Sequence, residues 1–227
     1  MVGRNRWRVS TCAGLAALGA AVAVMAGATE HVLFSDDFNG KLGDGWRWVR
    51  ENPGAWRATA SGLEIKIEPG NMWGGKNDAK NVLVRDLPKI ENGALSAEVV
   101  VANKPTNQYE QVNLVWYYDD SNMVKIGLEL VDGEVCMVMG REENDETRTI
   151  AKPPVGNDID TLHLRLTARG ATLKGEYRRS EVDDWKDAGE CDLPIKGDAK
   201  ISLQAYQGPS DAEHWTKLTR FRIFDVR

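Results

Sequence analysis

Between positions 109 and 138 the chain alternates apolar and polar residues with period two, through YEQVNLVWYYDDSNMVKIGLELVDGEVCMV. Val112, Leu114, Trp116 and Tyr118 share one face of the first run, with Gln111, Asn113, Tyr117 and an apolar Val115 on the other. In the second run Ile126, Leu128 and Leu130 share a face, and Lys125, Gly127 and Glu129 share the opposite one. Successive side chains of an extended chain point to opposite sides, so the pattern predicts strands with one face on a core. Two hairpin turns, Asp119-Asp120-Ser121-Asn122 and Asp132-Gly133, divide the stretch into three such strands.

Similar runs predict strands at 31–38, 46–50, 56–59, 63–67, 81–86 and 94–102 before this trio. After it come 162–168 and 172–178, a hairpin around Arg169-Gly170, then 185–191, 200–206 and 215–226. Residues 68–79 read as a Gly- and Asn-rich loop carrying an isolated Trp73, and 141–147 and 207–213 read as further loops. No stretch shows the 3.6-residue period of an amphipathic helix. An all-β chain is expected, folded as a two-sheet antiparallel β-sandwich or jelly roll.

Charge and composition set the N-terminus apart. Arg4, Arg6 and Arg8 precede an apolar, small-residue run over 13–25, and Ala26-Gly27-Ala28 has the A-x-A form of a cleavage site. Residues 1–28 therefore read as a secretory signal peptide, too short to span a membrane comfortably, and 29–227 as one exported domain, periplasmic or extracellular. The chain holds 29 basic and 34 acidic residues, and the leader takes away three Arg and no acid, leaving 26 against 34, or −8. That balance argues against nucleic acid, whose phosphates need clustered Lys and Arg. Cys136 and Cys191 are the cysteines beyond the leader, and either one disulfide or two buried thiols fits them. Neither a C-x-x-C nor a paired His accompanies them as a zinc site would require.

The run YEQVNLVWYYDDSNMVKIGLELVDG, the opening DDFNG with GWRWVRENPGAW and GLEIKI, and the closing ISLQAYQGPSDAEHWTKLTRFRIFDV resemble one known family. It is the concanavalin A-like domain that follows the catalytic module of many family 43 β-xylosidases, with secreted relatives of uncharacterised function. The likeness spans essentially all of 29–227. It implies a concanavalin A-like jelly roll whose concave sheet is the carbohydrate face, with the loop around Trp73 bordering the cleft.

The sequence supplies groups for such a face. Gln111, Asn113 and Tyr117 lie together on one strand, Lys125 and Glu129 on the next, and Ser202, Gln204 and Tyr206 on a late one. Amides and carboxylates hold sugar hydroxyls, and an aromatic ring stacks on the apolar face of a pyranose. Gln111, Asn113, Tyr117, Lys125, Glu129, Gln204 and Tyr206 are thus expected to bond a neutral glycan over Trp73 as platform. The plainer reading is a polar face turned to water and a loop tryptophan plugging a core edge. His214 and Trp215 carry the same ambiguity, and His163 reads as a surface residue.

Glycoside hydrolysis needs two carboxyls flanking a cleft. Concanavalin-like glucanases carry theirs as E-x-D-x-E or E-x-D-x-x-E, whereas 64–68 here has Lys66 at its centre and Glu181-Val182-Asp183 lacks a second Glu. Binding is therefore expected over catalysis. A glycosidase or lyase with dispersed catalytic groups, and a structural or protein-binding envelope domain, are the competing readings. Asp36, Asp37 and Asp225 lie near chain ends that jelly rolls lay side by side, which makes Asp37 and Asp225 the candidate Ca²⁺ ligands.

Overall fold

In the computed structural model, which describes residues 29–90 and 92–227, the alternating runs become strands joined in antiparallel ladders. The leader expected over 1–28 lies outside the described residues. Before the central trio come β1 (Glu30–Asp36), β2 (Trp46–Val49), β3 (Trp56–Thr59), β4 (Gly62–Lys66), β5 (Val82–Asp86) and β6 (Ala94–Ala102). The trio is β7 (Gln111–Asp119), β8 (Asn122–Val131) and β9 (Glu134–Glu143). Then follow β10 (Glu146–Ala151), β11 (Thr161–Arg169), β12 (Thr172–Arg178), β13 (Lys186–Asp192), β14 (Lys200–Tyr206) and β15 (Trp215–Val226). A 3-10 turn at Pro53–Ala55 interrupts the strands, and among the described residues no helix is long and apolar enough to cross a membrane.

The strands build two sheets. One runs β13-β12-β11-β6-β15-β4-β3, with β1 also paired to β15; the other runs β10-β9-β8-β7-β14-β5-β2. A bulge between Thr219 and Arg222 lets β15 change partner along its length. Trp215–Leu218 pairs with β4, and residues 221–226 pair with β1 on the same side. The Asp132-Gly133 turn has both residues in the left-handed region (φ 53° and 81°), the twist a two-residue hairpin needs.

Period-two alternation places the core. Val112, Leu114 and Trp116 of β7 and Ile126 and Leu128 of β8 meet Ala97, Val99 and Val101 of β6 and Leu162, Leu164 and Leu166 of β11 between the sheets. Trp46, Trp48 and Trp56 pack against the margin of this cluster. The expected two-sheet sandwich is the fold observed.

Two readings of the sequence change. Residues 141–147, expected as a charged loop, are the end of β9, a turn and the start of β10; Asn144 and Asp145 turn in the left-handed region (φ 53° and 65°). Charge suits β10 because it is the edge of its sheet, where exposed Glu146 and Arg148 discourage pairing with another chain. The disulfide alternative also falls. Cys136 lies on the outer face of β9 beside Val131 and Val138, Cys191 packs on the inter-sheet core, and both are free thiols. Burial pushes both thiols up, Cys191 to about 11.

Leu114 is fully buried at the centre of the inter-sheet core. Leu114→Ala is expected to lower unfolding stability by about 2–5 kcal/mol in denaturant titration.

Candidate functional site

Register lines up the outer face of the second sheet in rows. Tyr206, Gln111, Glu129 and Cys136 stand side by side across β14, β7, β8 and β9; the next row is Gln204, Asn113, Gly127 and Val138. Then come Ser202, Val115, Lys125 and Gly140, and beyond them Tyr117, Met123 and Glu142.

This outer face is not wet. Asn113, Val115, Met123 and Ser202 are 0% exposed, although they point away from the inter-sheet core. Residues 68–81 lie over them, and Met72 is buried among Val82, Val84, Val115, Tyr117, Met123 and Tyr206. Arg50 clamps this cover. Its Nε donates to the Ala79 carbonyl (2.7 Å) and its Nη1 to Asp120 Oδ2 (2.5 Å), while Nη2 lies 3.0 Å from the Met72 sulfur. Tyr117 OH donates to the same Asp120 carboxylate at 2.7 Å. Burial, then that carboxylate, pushes the Tyr117 phenol up.

What stays open is a cavity of about 530 Å³. Its floor is Gln111, Lys125 and Glu129, with Val131 and Val138 beside them; Trp73 and Asn71 stand on one side, Tyr109 and Gln207 at one end, and Asp132, Thr149 and Lys152 opposite. The floor is charged and ordered. Lys125 Nζ is 3.2 Å from Glu129 Oε2, donates also to Gln111 Oε1, and lies 4.6 Å from the centre of the Trp73 ring. Gln111 is fixed in turn, its Nε2 donating to the Tyr109 carbonyl at 2.9 Å. The arrangement sets a cationic donor and an anionic acceptor side by side under a half-buried indole, which suits a ligand with neighbouring hydroxyls and an apolar ring face.

Two glycines make room. A Cβ at position 140 would strike the Trp73 ring, and one at 127 would strike the Asn113 side chain and the Val112 carbonyl. Spacing of polar residues did not reveal these positions, nor the rim residues Asn71, Tyr109, Asp132, Thr149, Lys152 and Gln207.

Of the eight residues singled out by sequence, Trp73, Gln111, Lys125 and Glu129 line the cavity. Asn113, Tyr117, Gln204 and Tyr206 share the face but lie outside the cavity, shut in beside or beneath the cover. Asn113 donates to Gln111 Oε1 (3.2 Å) and so braces the floor from beside it, while Gln204 donates to Ser202 Oγ (3.2 Å) under the cover. Asn113 Oδ1, Gln204 Oε1 and Tyr206 OH find no partner among protein groups.

Asp37 and Asp225 are set apart by the ladder. Asp225 pairs with His31, six residues from Asp37, or about 20 Å along a strand. Asp36 is saturated by the Phe38 and Gly43 amides and the Trp46 indole (2.7, 2.8 and 3.0 Å). Among the described residues no three His, Cys, Asp or Glu side chains group as a metal site. His214 is held at Nδ1, 2.6 Å from Glu110 Oε1, a fully buried carboxylate that also accepts from the Thr106 and Asn107 amides.

Comparison with known proteins fits this geometry. A family model described as the β-xylosidase C-terminal concanavalin A-like domain matches residues 35–209. None of the curated proteins matches the chain in sequence. The GH43 BlXynB protein from Bacillus licheniformis superposes with a TM-score of 0.70 at 19% identity, over 84% of this chain and 39% of its own. Xylan β-1,4-xylosidase from Bacillus halodurans C-125 does so with a TM-score of 0.70 at 13% identity, over 83% and 38%. The CBM2 module of the evolved Dit of Lactobacillus casei BL23 phage J-1 gives 0.58 at 10% identity, over 88% and 97%. The chain spans about two-fifths of the length of the two glycosidase-family proteins, and at these identities the likeness is one of fold.

Glu142 ties the cover to the sheet, since the Gly74 N–H donates to its Oε2 at 3.1 Å. Burial pushes this carboxyl up to about 7, against the opposing pull of that N–H and of Lys125. A carboxyl raised on folding contributes stability that is complete below its unfolded value near 4.5 and is lost as pH rises through about 7. Glu142→Gln is therefore expected to flatten the fall in unfolding midpoint across that window. Above pH 7 the variant should match or exceed the parent by up to about 3 kcal/mol, as read by thermal melts at stepped pH.

Proposed function

Since the chain belongs to the family of β-xylosidase C-terminal concanavalin A-like domains, we propose that it is an exported carbohydrate-binding protein that holds a neutral glycan in the cavity under Trp73. Family membership supports a carbohydrate-related role; the leader pattern over 1–28 supports export; the acidic balance fits a neutral ligand better than a polyanion. The observation that carries the reading is the floor: Lys125, Glu129 and Gln111 locked to one another beneath a half-buried tryptophan.

Binding is favoured over hydrolysis by where the carboxyls sit. Glycosidases flank the scissile bond with two of them, one kept protonated as an acid. Of the two carboxyls that line the cavity, Glu129 is tied to Lys125 and Asp132 faces Lys152 on the rim, while Glu142, whose raised carboxyl would suit an acid, is fully buried behind Gly74 and does not line the cavity.

Affinity electrophoresis tests the reading. The protein is run through gels containing soluble xylan, arabinan, galactan or mixed-linkage glucan, and retardation is expected in at least one. Trp73→Ala should weaken that retardation about tenfold or more, the loss of one stacking platform. Trp185→Ala, which removes a ring in contact with the Arg165 and Arg178 guanidiniums on the other sheet, should leave it unchanged. Parent migration unaffected by all four polymers would defeat the proposal.

A further inference from the structure

Resting on the carbohydrate reading, we propose that this cavity takes the end of a glycan chain and rejects the interior of a polymer. A mid-chain segment must enter and leave its site, so it needs a groove with two exits along the sheet. Here the walls block each exit in turn.

Toward β14, β5 and β2 the face is filled. Met72 and Ala79 are buried in that half, and Ser202 and Gln204 beneath them are closed to solvent. Toward the β9–β10 turn the Trp73 ring lies so close on Gly140 that no side chain fits between them, and the Gly74–Glu142 bond shuts the space behind. At the opposite end Tyr109 and Gln207 are both held in the left-handed region (φ 67° and 62°). Their backbones are tied: Tyr109 N–H to the Leu130 carbonyl at 2.8 Å, Gln207 N–H to the Gly70 carbonyl at 3.2 Å. The second of these bonds joins the end wall to the cover itself. On the last side Lys152 reaches across to Asp132, 3.7 Å away. The opening that remains faces outward from the sheet, so a ligand enters end-on.

The floor chemistry agrees with the wall. Lys125 and Glu129, 3.2 Å apart, present a donor beside an acceptor, the complement of two adjacent hydroxyls. A terminal sugar carries at least one more free hydroxyl than the same unit within a chain, and it can bring that edge down to the floor while its ring lies against Trp73.

The test uses the unaltered protein. Whichever of the four polymers retards it is cut by mild acid into progressively shorter chains of known mean length. The fragments then compete with the intact polymer in the gel at equal mass. Recognition of ends predicts that shortening the chains tenfold lowers the half-inhibitory mass about tenfold, because ends per gram rise by that factor. A half-inhibitory mass that stays constant or climbs as the chains shorten would mark a mid-chain binder and overturn the inference, while leaving carbohydrate binding intact. Absence of retardation by polymer and fragments alike would sink both together.

Discussion

The outer face of the second sheet takes its shape from that sheet being covered twice, once by the partner sheet and once by residues 68–81. The second cover is tied down at Gly74 by Glu142, at Gly70 by Gln207, and at its centre by a guanidinium. Arg50 leaves the end of β2 in the left-handed region (φ 55°) and spreads its nitrogens between the Ala79 carbonyl, the Asp120 carboxylate and the Met72 sulfur. It therefore joins three distant segments: the strand it belongs to, the cover, and the β7–β8 turn. A forked, charge-assisted contact fixes direction as well as distance, which a lysine could not do. Trp73, the neighbour of the pinned Met72, lies against Gly140 and forms the cavity edge.

Double covering also accounts for the odd chemistry of the face. Amides such as Asn113 and Gln204, and a Tyr206 phenol pushed well up by full burial, are uncommon choices for a dry layer. They make sense as bracing, since Asn113 steadies Gln111, which steadies Lys125. The Lys125–Glu129 pair is itself almost fully buried, at 3% and 8% side-chain exposure. A pair of that kind adds little net stability against an apolar replacement, yet removing one partner strands the other charge, at a cost of about 3–5 kcal/mol. On the proposed reading, the pair serves what it presents to a ligand more than what it does for folding.

The sandwich was legible because its signal is local. Strands at 94–102, 172–178, 200–206 and 215–226 were readable to the residue; burial alternates throughout 172–178, whereas 201–206 is buried on both faces. Residues 141–147 were misread because Arg141, Glu142 and Glu143 look like solvent-facing charge, while in the fold Glu142 is fully buried against the cover. Alternation likewise told which side chains share a face: Gln111 with Asn113, Lys125 with Glu129. It was silent about what lies over that face, because the cover comes from a segment some 40 residues upstream whose only local mark is a Gly- and Asn-rich loop. Hence four of the eight singled-out residues line the cavity and four do not. Gly127 and Gly140 left no trace either, since a missing side chain signals a close approach only once the approaching group is known.

Floor and rim are built from different material, and that difference constrains how such a domain can change its ligand. The floor stands on the middle strands of a sheet, with each polar group bonded to the next, so substitution there disturbs folding and binding at once. The rim comes from turns and strand ends: Asn71 and Trp73 from the cover, Tyr109 and Gln207 from positions beside β7 and β14, Asp132 from a hairpin turn, Lys152 just past an edge strand. Of these, Tyr109 is 48% exposed, and Asp132 and Lys152 keep 75% and 46% of their side-chain surface in water. Exposed turn residues tolerate replacement with small changes in stability. On the proposed reading, a fixed diol-sized donor–acceptor pair beneath an adjustable collar would keep one mode of grip while admitting different sugars, the collar setting which glycan enters and the sheet how it is held.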